Sequence, residues 1–309
     1  MKLEELLDEW LDSVNGTVKV RTFLQYRHIV KVHIKPYFVD MEVSNITTKD
    51  LQKYVIVLGE RGNKNTGKAL GSGTITLILS VLKMGLNYAV MNKYIGASPL
   101  IGVRQKKKAI KKVEAFSKEE QQKIEMFSDT NRKYFGVMLA LYTGVRIGEL
   151  LALKWEDFDE RESIIKVNKT TYMLKKDNGK WEQENDSPKT QSSNREIPIA
   201  IKIKKLLHAH KKQSNSDYII DNNGKQMQVR HYQYIFESML KKLNIRHKGF
   251  HSLRHTFATR ALECGVDIKT LSELLGHSKT SITLDRYVHT SMQQKKKAIN
   301  RLCKSNNSD

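Results

Sequence analysis

Apolar residues recur at helical spacing through the first 103 residues, and this pattern predicts a helical region. The first helix lies near the N-terminus, where five apolar residues fall one, three or four apart: Leu3, Leu6, Leu7, Trp10 and Leu11. A second helix is predicted over 22–37, with Pro36 near its end. A third begins at 47–50. After a Gly- and Asn-rich loop over 61–73, a fourth runs toward Tyr88, with Ser72 or Thr74 as its N-cap.

A second patterned region starts at Phe116, where Ser117 followed by Glu120 matches a capping box. Helices are predicted from there through Leu153. Residues 164–172 and 194–199 alternate between apolar and polar positions, which predicts strands, and the polar stretch between them is assigned to turns. Helical spacing returns at Tyr232 and continues through Leu302. The predicted fold class is mainly α with a small antiparallel β-sheet.

A basic run, RQKKKAIKK at 104–112, separates the two regions. The predicted organisation is a helical domain over 1–103, a basic linker over 104–115 and a second domain over 116–309 that ends in a C-terminal helix. A length of 309 residues is consistent with about two domains. A solvated connector is the simpler interpretation of such a run, and a strap along DNA phosphates is the functional alternative.

The formal net charge of +21 changes the picture, because a protein so far from neutral usually binds a polyanion, most often nucleic acid. The most apolar stretch, 75–90, carries Lys83 and Asn87 and falls short of the roughly 18 uncharged residues of a membrane span. No signal peptide is recognisable, and Cys264 and Cys303 do not suggest a disulfide framework. These features predict a cytoplasmic protein that binds nucleic acid and no membrane.

Two segments resemble ligand-binding motifs, but each lacks a residue that its motif requires. The segment GNKNTGKA at 62–69 nearly spells a phosphate-binding loop, but Ala69 stands where a Ser or Thr hydroxyl would bind magnesium. His251 and His255 have a zinc-ligand spacing, but Ser252 follows the first histidine where a zinc protease has Glu. No third ligand lies at an obvious spacing, so we predict neither a nucleotide nor a metal cofactor.

A set of cationic and aromatic residues in the second region carries more information. Arg146 follows a Thr–Gly break at a predicted helix start, where free N–H groups favour an anion, and Glu149 lies one turn further on. His251 and Arg254 are three apart and share a helix face, which suits a phosphate. His277 is followed ten positions later by Tyr287. Each pair alone is more simply a surface feature.

Taken together, the order Arg, His-x-x-Arg, Gly-His, Tyr resembles the tyrosine recombinase (phage integrase) family. The surrounding words resemble the family as well: TGVRIGELLALKWEDFD, HSLRHTFAT, LGHS and TLDRYVH. The resemblance covers 116–302. Within it, SPKTQSSNREIP resembles the β-hairpin segment that carries the family's catalytic lysine, at Lys189. The region 1–103 resembles the family's helical, SAM-like core-binding domain, and 116–309 its α+β catalytic domain.

The resemblance implies site-specific strand exchange through a covalent intermediate. Tyr287 would attack a DNA phosphate, form a 3′-phosphotyrosyl bond and release a 5′-hydroxyl. Lys189 would protonate the leaving oxygen, and His251 would accept the tyrosine proton.

The same resemblance implies that no cofactor takes part, because arginine supplies the positive charge. Arg146 and Arg254 would bind the non-bridging phosphate oxygens, and His277 would donate a hydrogen bond to the phosphate. Glu149 would orient Arg146 rather than react.

The implied partners are double-stranded DNA with inverted-repeat core sites and three further copies of the chain, four protomers acting on two sites. Accessory DNA-bending proteins are a further class of partner. The first helix begins almost at Met1, which suggests either a recombinase without an arm-binding domain or a truncated chain. Two alternatives stay open at this point: a type IB topoisomerase-like enzyme that only relaxes DNA, and a catalytically inactive, recombinase-derived regulator.

Overall fold

A computed structural model describes residues 1–106, 114–175, 179–186 and 194–287, apart from the side chains at 175 and 285–287. Lys189 and most of the predicted linker therefore lie outside the described residues. The chain forms two compact units, Met1–Lys111 and Lys112–Asp309. They are called the N-terminal unit and the C-terminal unit below.

The N-terminal unit is built from helices around one apolar core. The first two predicted helices are present, and the second continues through a π-helical segment, Val30–Ile34, that ends before Pro36. A proline cannot donate to a helical ladder and restricts the residue before it, so the chain turns there. The four helices are α1 (Leu3–Val14), α2 (Val20–Ile29), α3 (Thr48–Arg61) and α4 (Ser72–Met91).

Two helix starts in this unit differ in how they are capped. At α3, whose start the sequence predicts at 47–50, the side chain of Thr47 accepts from the backbone N–H of Asp50, and the Asp50 carboxylate accepts from the Thr47 N–H. At α4 the predicted caps were wrong, because Gly71 is the N-cap and Ser72 is already helical. The Gly71 carbonyl accepts from the backbone N–H groups of Thr74 and Ile75, so no side-chain cap is used.

Helix α4 is long and apolar enough, by length and composition, to cross a membrane, contrary to the expectation based on Lys83 and Asn87. Core helices of soluble proteins meet the same criterion. Here five of its apolar side chains are completely buried in the N-terminal core: Ile78, Val81, Leu82, Leu86 and Ala89. Packing within the unit therefore accounts for its apolar composition.

The C-terminal unit contains eight labelled helices among its described residues. Helix α5 begins with the predicted Ser117–Glu120 capping box. Helix α8 lies in a stretch for which the sequence analysis predicted no element. The helices are α5 (Lys118–Asp129), α6 (Phe135–Thr143), α7 (Ile147–Leu150), α8 (Ile201–Lys212), α9 (Val229–Lys242), α10 (His251–Glu263), α11 (Ile268–Leu275) and α12 (Thr280–Tyr287). Short 3₁₀ helices occupy Arg132–Tyr134 and Trp155–Asp157.

All the strands of this unit pair in antiparallel fashion, within the part of the chain that is described. They form a sheet of order β1-β2-β5 and two separate hairpins, β3–β4 and β6–β7. The strands are β1 (Phe158–Asp159), β2 (Ile164–Val167), β3 (Thr170–Lys175), β4 (Trp181–Asp186), β5 (Arg195–Pro198), β6 (Asp221–Asn222) and β7 (Lys225–Gln226).

Two of the strand predictions were wrong in detail. The stretch 164–172 is divided between β2 and β3, and the polar stretch after it contains β4 rather than turns alone. Strand β4 reads WEQEND and has no apolar alternation, so its pairing with β3, from Thr170 opposite Asp186, depends on backbone register instead. The predicted fold class, mainly α with a small antiparallel β component, is confirmed.

Helix α6 forms the centre of the C-terminal core and packs against α5, α7, α8 and α10. It is apolar on every side, and eight of its nine residues are buried. A helix surrounded in this way is fixed in place by its neighbours. Its C-terminal end at Thr143 therefore provides a rigid base for the residues that follow.

Candidate active site

Gly144 ends α6 in the left-handed conformation, with φ of +65°. A Cβ atom at this position would lie 2.6 Å from Cδ1 of Phe257 and 2.9 Å from Cδ2 of Leu275. Only glycine satisfies both the backbone angle and the space. The resulting turn brings Arg146 to the N-cap position of α7.

The carboxylate of Glu149 accepts two hydrogen bonds from Arg146 at the start of α7. Nη1 of Arg146 donates to Oε1 of Glu149 at 2.7 Å, and the Arg146 backbone N–H donates to Oε2 at 2.9 Å. The arginine side chain is 37% exposed, whereas that of Glu149 is 6% exposed. A buried carboxylate thus fixes a guanidinium that is itself open to solvent.

Arg195, at the start of β5, holds the other side of this carboxylate. Its Nη2 lies 2.8 Å from Oε2 of Glu149, and its Nε donates to the carbonyl oxygen of Leu274 at 2.6 Å. The side chain is 5% exposed. Sequence reasoning did not select Arg195, although it lies in the segment around Lys189, because its partner Glu149 lies 46 residues earlier.

Two arginines determine the charge state of Glu149. Burial alone would raise the pKa of this carboxyl, but the hydrogen bonds and charge of Arg195, together with Arg146, outweigh burial and lower the pKa to about 2. Glu149 is therefore a carboxylate at neutral pH, and two arginines, one buried and one partly exposed, bind it.

Arg254 lies in the interior, although the pair with His251, taken alone, would more simply be a surface feature. It is 1% exposed. Its Nη1 donates to the carbonyl oxygen of Gly144 at 2.8 Å, and its Nη2 donates to that of Leu275 at 2.6 Å. These carbonyls end α6 and α11, so the guanidinium satisfies the C-terminal groups of two helices.

His277 follows the left-handed Gly276 that ends α11. Its Nε2 lies 2.9 Å from Nη2 of Arg254, and its Nδ1 lies 2.8 Å from Oγ1 of Thr283. Arginine can only donate, so Nε2 accepts this bond and Nδ1 carries the ring proton. Thr283 is completely buried in α12, and the bond therefore ties that helix to the arginine site.

His251 is the first residue of α10 and is exposed. Its ring lies 4.6 Å from that of His255, at nearly a right angle. Among the described residues, no group of three or more His, Cys, Asp or Glu side chains is arranged to hold a metal ion.

The side chains of the two remaining predicted residues are not described. Lys189 lies outside the described residues. Tyr287 is the last residue of α12, four positions after Thr283, and only its backbone is described.

The described residues bring five separate segments together: the α6–α7 turn, β5, the start of α10, the end of α11 and α12. They place a solvent-open guanidinium, a second guanidinium held by helix carbonyls and a histidine on one hydrogen-bonded frame. Fixed cationic donors of this kind suit a phosphate group whose negative charge increases during reaction.

Family models match most of the chain. The model described as "Phage integrase family" matches residues 106–294, and the model described as "Phage integrase, N-terminal SAM-like domain" matches residues 2–58. A relative from Caldanaerobacter subterraneus subsp. tengcongensis, "Tyrosine recombinase XerC-like", is 31% identical over 97% of this chain and 82% of its own length.

Solved structures share the fold at lower identity. The Tn1549 transposon integrase in complex with a circular intermediate DNA superposes with a TM-score of 0.80, at 22% identity over 98% of this chain and 99% of that chain. A lambda integrase tetramer bound to a Holliday junction superposes with a TM-score of 0.67, at 21% identity over 91% of this chain and 79% of that chain.

Proposed function

The chain belongs to the phage integrase family and is a tyrosine-type site-specific DNA recombinase, and we propose which of its residues carry the reaction. The proposed catalytic set is Arg146, Lys189, His251, Arg254, His277 and Tyr287, with Glu149 as an orienting residue. The observation that carries this proposal is the continuous frame that joins Arg146, Arg254, His277 and the helix of Tyr287.

In the proposed reaction, the phenolic oxygen of Tyr287 attacks the scissile phosphorus and the bond to the 5′-oxygen breaks. His251 accepts the phenolic proton, and Lys189 delivers a proton to the departing 5′-oxygen. The product is a 3′-phosphotyrosyl bond and a free 5′-hydroxyl. The bond energy stays in the phosphodiester, so a second 5′-hydroxyl can attack and rejoin the strand by the reverse sequence.

The two arginines are proposed to bind the non-bridging oxygens of the same phosphate. Arg146 presents an exposed guanidinium. Arg254 lies deeper, where the two helix carbonyls hold it in place before DNA binds. Each such donor contributes about 3 kcal/mol to transition-state stabilisation, by analogy with the loss of one oxyanion donor.

His277 is proposed to contact the phosphate as well. Its present hydrogen bonds determine which ring nitrogen carries the proton and can donate. Its Nε2 accepts from Arg254, and Nδ1 carries the proton toward Thr283. An entering phosphate oxygen would compete with Nε2 for the arginine donor. Donation from Nε2 to the phosphate therefore requires a proton on Nε2, which a change of tautomer supplies when Nδ1 accepts from the Thr283 hydroxyl.

We propose the domain boundaries 1–103, 104–115 and 116–309, which the two compact units and the two family-model matches support. The proposed partners are duplex DNA with inverted-repeat core sites and three further copies of the chain. The lambda integrase tetramer on a Holliday junction supports this assembly. We place the reaction in the cytoplasm, with its DNA substrate, and accessory DNA-bending proteins stay a prediction.

Covalent capture tests the chemistry. Purified protein is incubated with fragmented host DNA in EDTA and denatured with SDS, and the protein-linked DNA is sequenced. We expect enriched fragments that share an inverted repeat, complete loss of adduct in Tyr287→Phe, and normal adduct in Tyr234→Phe, which changes an exposed tyrosine of the same unit.

An adduct that persists in Tyr287→Phe would assign the nucleophile elsewhere. DNA binding without any wild-type adduct would favour the inactive regulator. A plasmid carrying two captured sites separates exchange from relaxation, because a topoisomerase-like enzyme would change supercoiling without producing recombinant junctions.

A further inference from the structure

Arg195 connects three segments that are distant in the sequence. It lies on β5, it binds the Glu149 carboxylate on α7 through Nη2 at 2.8 Å and Nη1 at 3.3 Å, and it binds the Leu274 carbonyl through Nε at 2.6 Å. The sequence separations are 46 residues to Glu149 and 79 to Leu274. The contacts among these groups are therefore tertiary ones.

The geometry of these bonds requires an arginine. The planar guanidinium directs one edge at the two carboxylate oxygens and its Nε at a main-chain carbonyl, and an ammonium group has no such fork. Both Arg195 and Glu149 are almost completely buried, with 5% and 6% exposure, so little solvent reaches the groups that the fork joins.

Each partner of Arg195 is connected to proposed phosphate-binding residues. Glu149 binds Arg146 through both its side chain and its backbone N–H. Leu274 directly precedes Leu275, whose carbonyl binds Arg254, and His277 follows two residues later. Arg195 thus lies between the support of Arg146 and the support of Arg254 and His277.

We propose that Arg195 is a positioning residue that sets the distance between Arg146 and the Arg254–His277 pair. It acts through Glu149 and Leu274 and does not itself contact the phosphate. This inference rests on the proposed function, because it assumes that the two arginines act on one phosphate.

The test compares cleavage rate with DNA affinity in three variants. Arg195→Lys keeps the charge but loses the fork, Arg195→Met removes both, and Arg195→Met with Glu149→Gln also removes the carboxylate charge left unpaired on that side. Arg132→Met is the matched control, because Arg132 also binds a main-chain carbonyl, that of Gln213, and lies 3.6 Å from a carboxylate, Asp221, outside the site. The probe is a nicked, fluorescent duplex of the captured sequence.

We expect Arg195→Lys to remain folded. Its melting temperature should be at least as high as that of the double variant, Arg195→Met with Glu149→Gln. Its single-turnover cleavage rate at saturating duplex should fall 10- to 100-fold, the usual range for residues that orient a reacting group. Its Kd for the duplex should change less than threefold. The double variant should recover stability relative to Arg195→Met but not cleavage, and Arg132→Met should cleave at the wild-type rate.

Wild-type cleavage by the folded Arg195→Lys protein would overturn the inference, as would an equal loss in Arg132→Met. A loss of affinity that matches the loss of rate would also overturn it, because Arg195 would then be a binding residue. The proposed function fails separately, if the wild-type protein itself forms no adduct with the duplex.

Discussion

Arg146 and Arg254 lie on two differently built sides of the proposed site. On the Arg146 side the support is ionic, since a buried carboxylate binds a guanidinium that remains 37% exposed. On the Arg254 side the support is neutral, since two helix-end carbonyls and a histidine hold a guanidinium that is 1% exposed. The first arrangement depends on the charge of Glu149, and the second depends on where α6 and α11 end.

The largest expected effect is a loss of cleavage when either arginine is replaced, with a loss of stability on the Arg254 side only. Arg146→Lys and Arg254→Lys should each reduce single-turnover cleavage by about 100- to 1000-fold, because an ammonium cannot replace the two-donor fork. Arg254→Lys should in addition lower the free energy of unfolding by about 3 kcal/mol, because buried carbonyls lose their donors. Thermal melts beside cleavage assays check both, and equal destabilisation by the two changes would remove the distinction between the sides.

The ionic side should also give a pH-dependent stability in the acidic range, through Glu149. The folded pKa of Glu149 is lowered to about 2 from an ordinary 4.5, so its stabilisation is complete above pH 4.5 and is lost as the pH falls through 2. The shift corresponds to about 3 kcal/mol. Urea unfolding at stepped pH should show wild type and Glu149→Gln converging from pH 5 toward pH 2. A constant difference across this range would contradict the assignment.

The smallest expected effect concerns the link between α12 and the neutral side. Thr283→Val keeps the shape of a completely buried side chain but removes the acceptor for Nδ1 of His277, which should cost about 1 kcal/mol and slow cleavage a few-fold. Thr283→Ser keeps the hydroxyl and should retain most of the rate. Equal losses in the two variants would mean that packing, and not the hydrogen bond, explains the effect.

Local signals in the sequence were sufficient for much of the fold. The capping box at Ser117, the helix start at 47–50 and the helical spacing of α1 predict elements that the structure contains. Strand β4 could not be predicted in this way, because its polar residues carry no periodicity and its register comes from β3. The cap of α4 was missed because Gly71 uses only its backbone.

In the candidate site, too, local contacts could be predicted from the sequence and long-range contacts could not. Arg146 and Glu149 are three residues apart, so their contact is a local one that spacing alone can suggest. The burial of Arg254 depends on carbonyls 110 residues before it and 21 after it, and the role of Arg195 depends on a carboxylate 46 residues away. Such contacts follow from tertiary packing, and sequence motifs indicate the residues without indicating how they are held.

The two bonds of His277 make this ring a reporter for the helix that carries the proposed nucleophile. One ring nitrogen contacts Arg254 and the other contacts Thr283, four residues before Tyr287 on α12. A displacement of α12 that withdraws Tyr287 also breaks the bond at Nδ1. The imidazole proton at Nδ1 then exchanges with water, so a single resonance in a magnetic-resonance spectrum follows the engagement of the tyrosine without a label on the tyrosine itself.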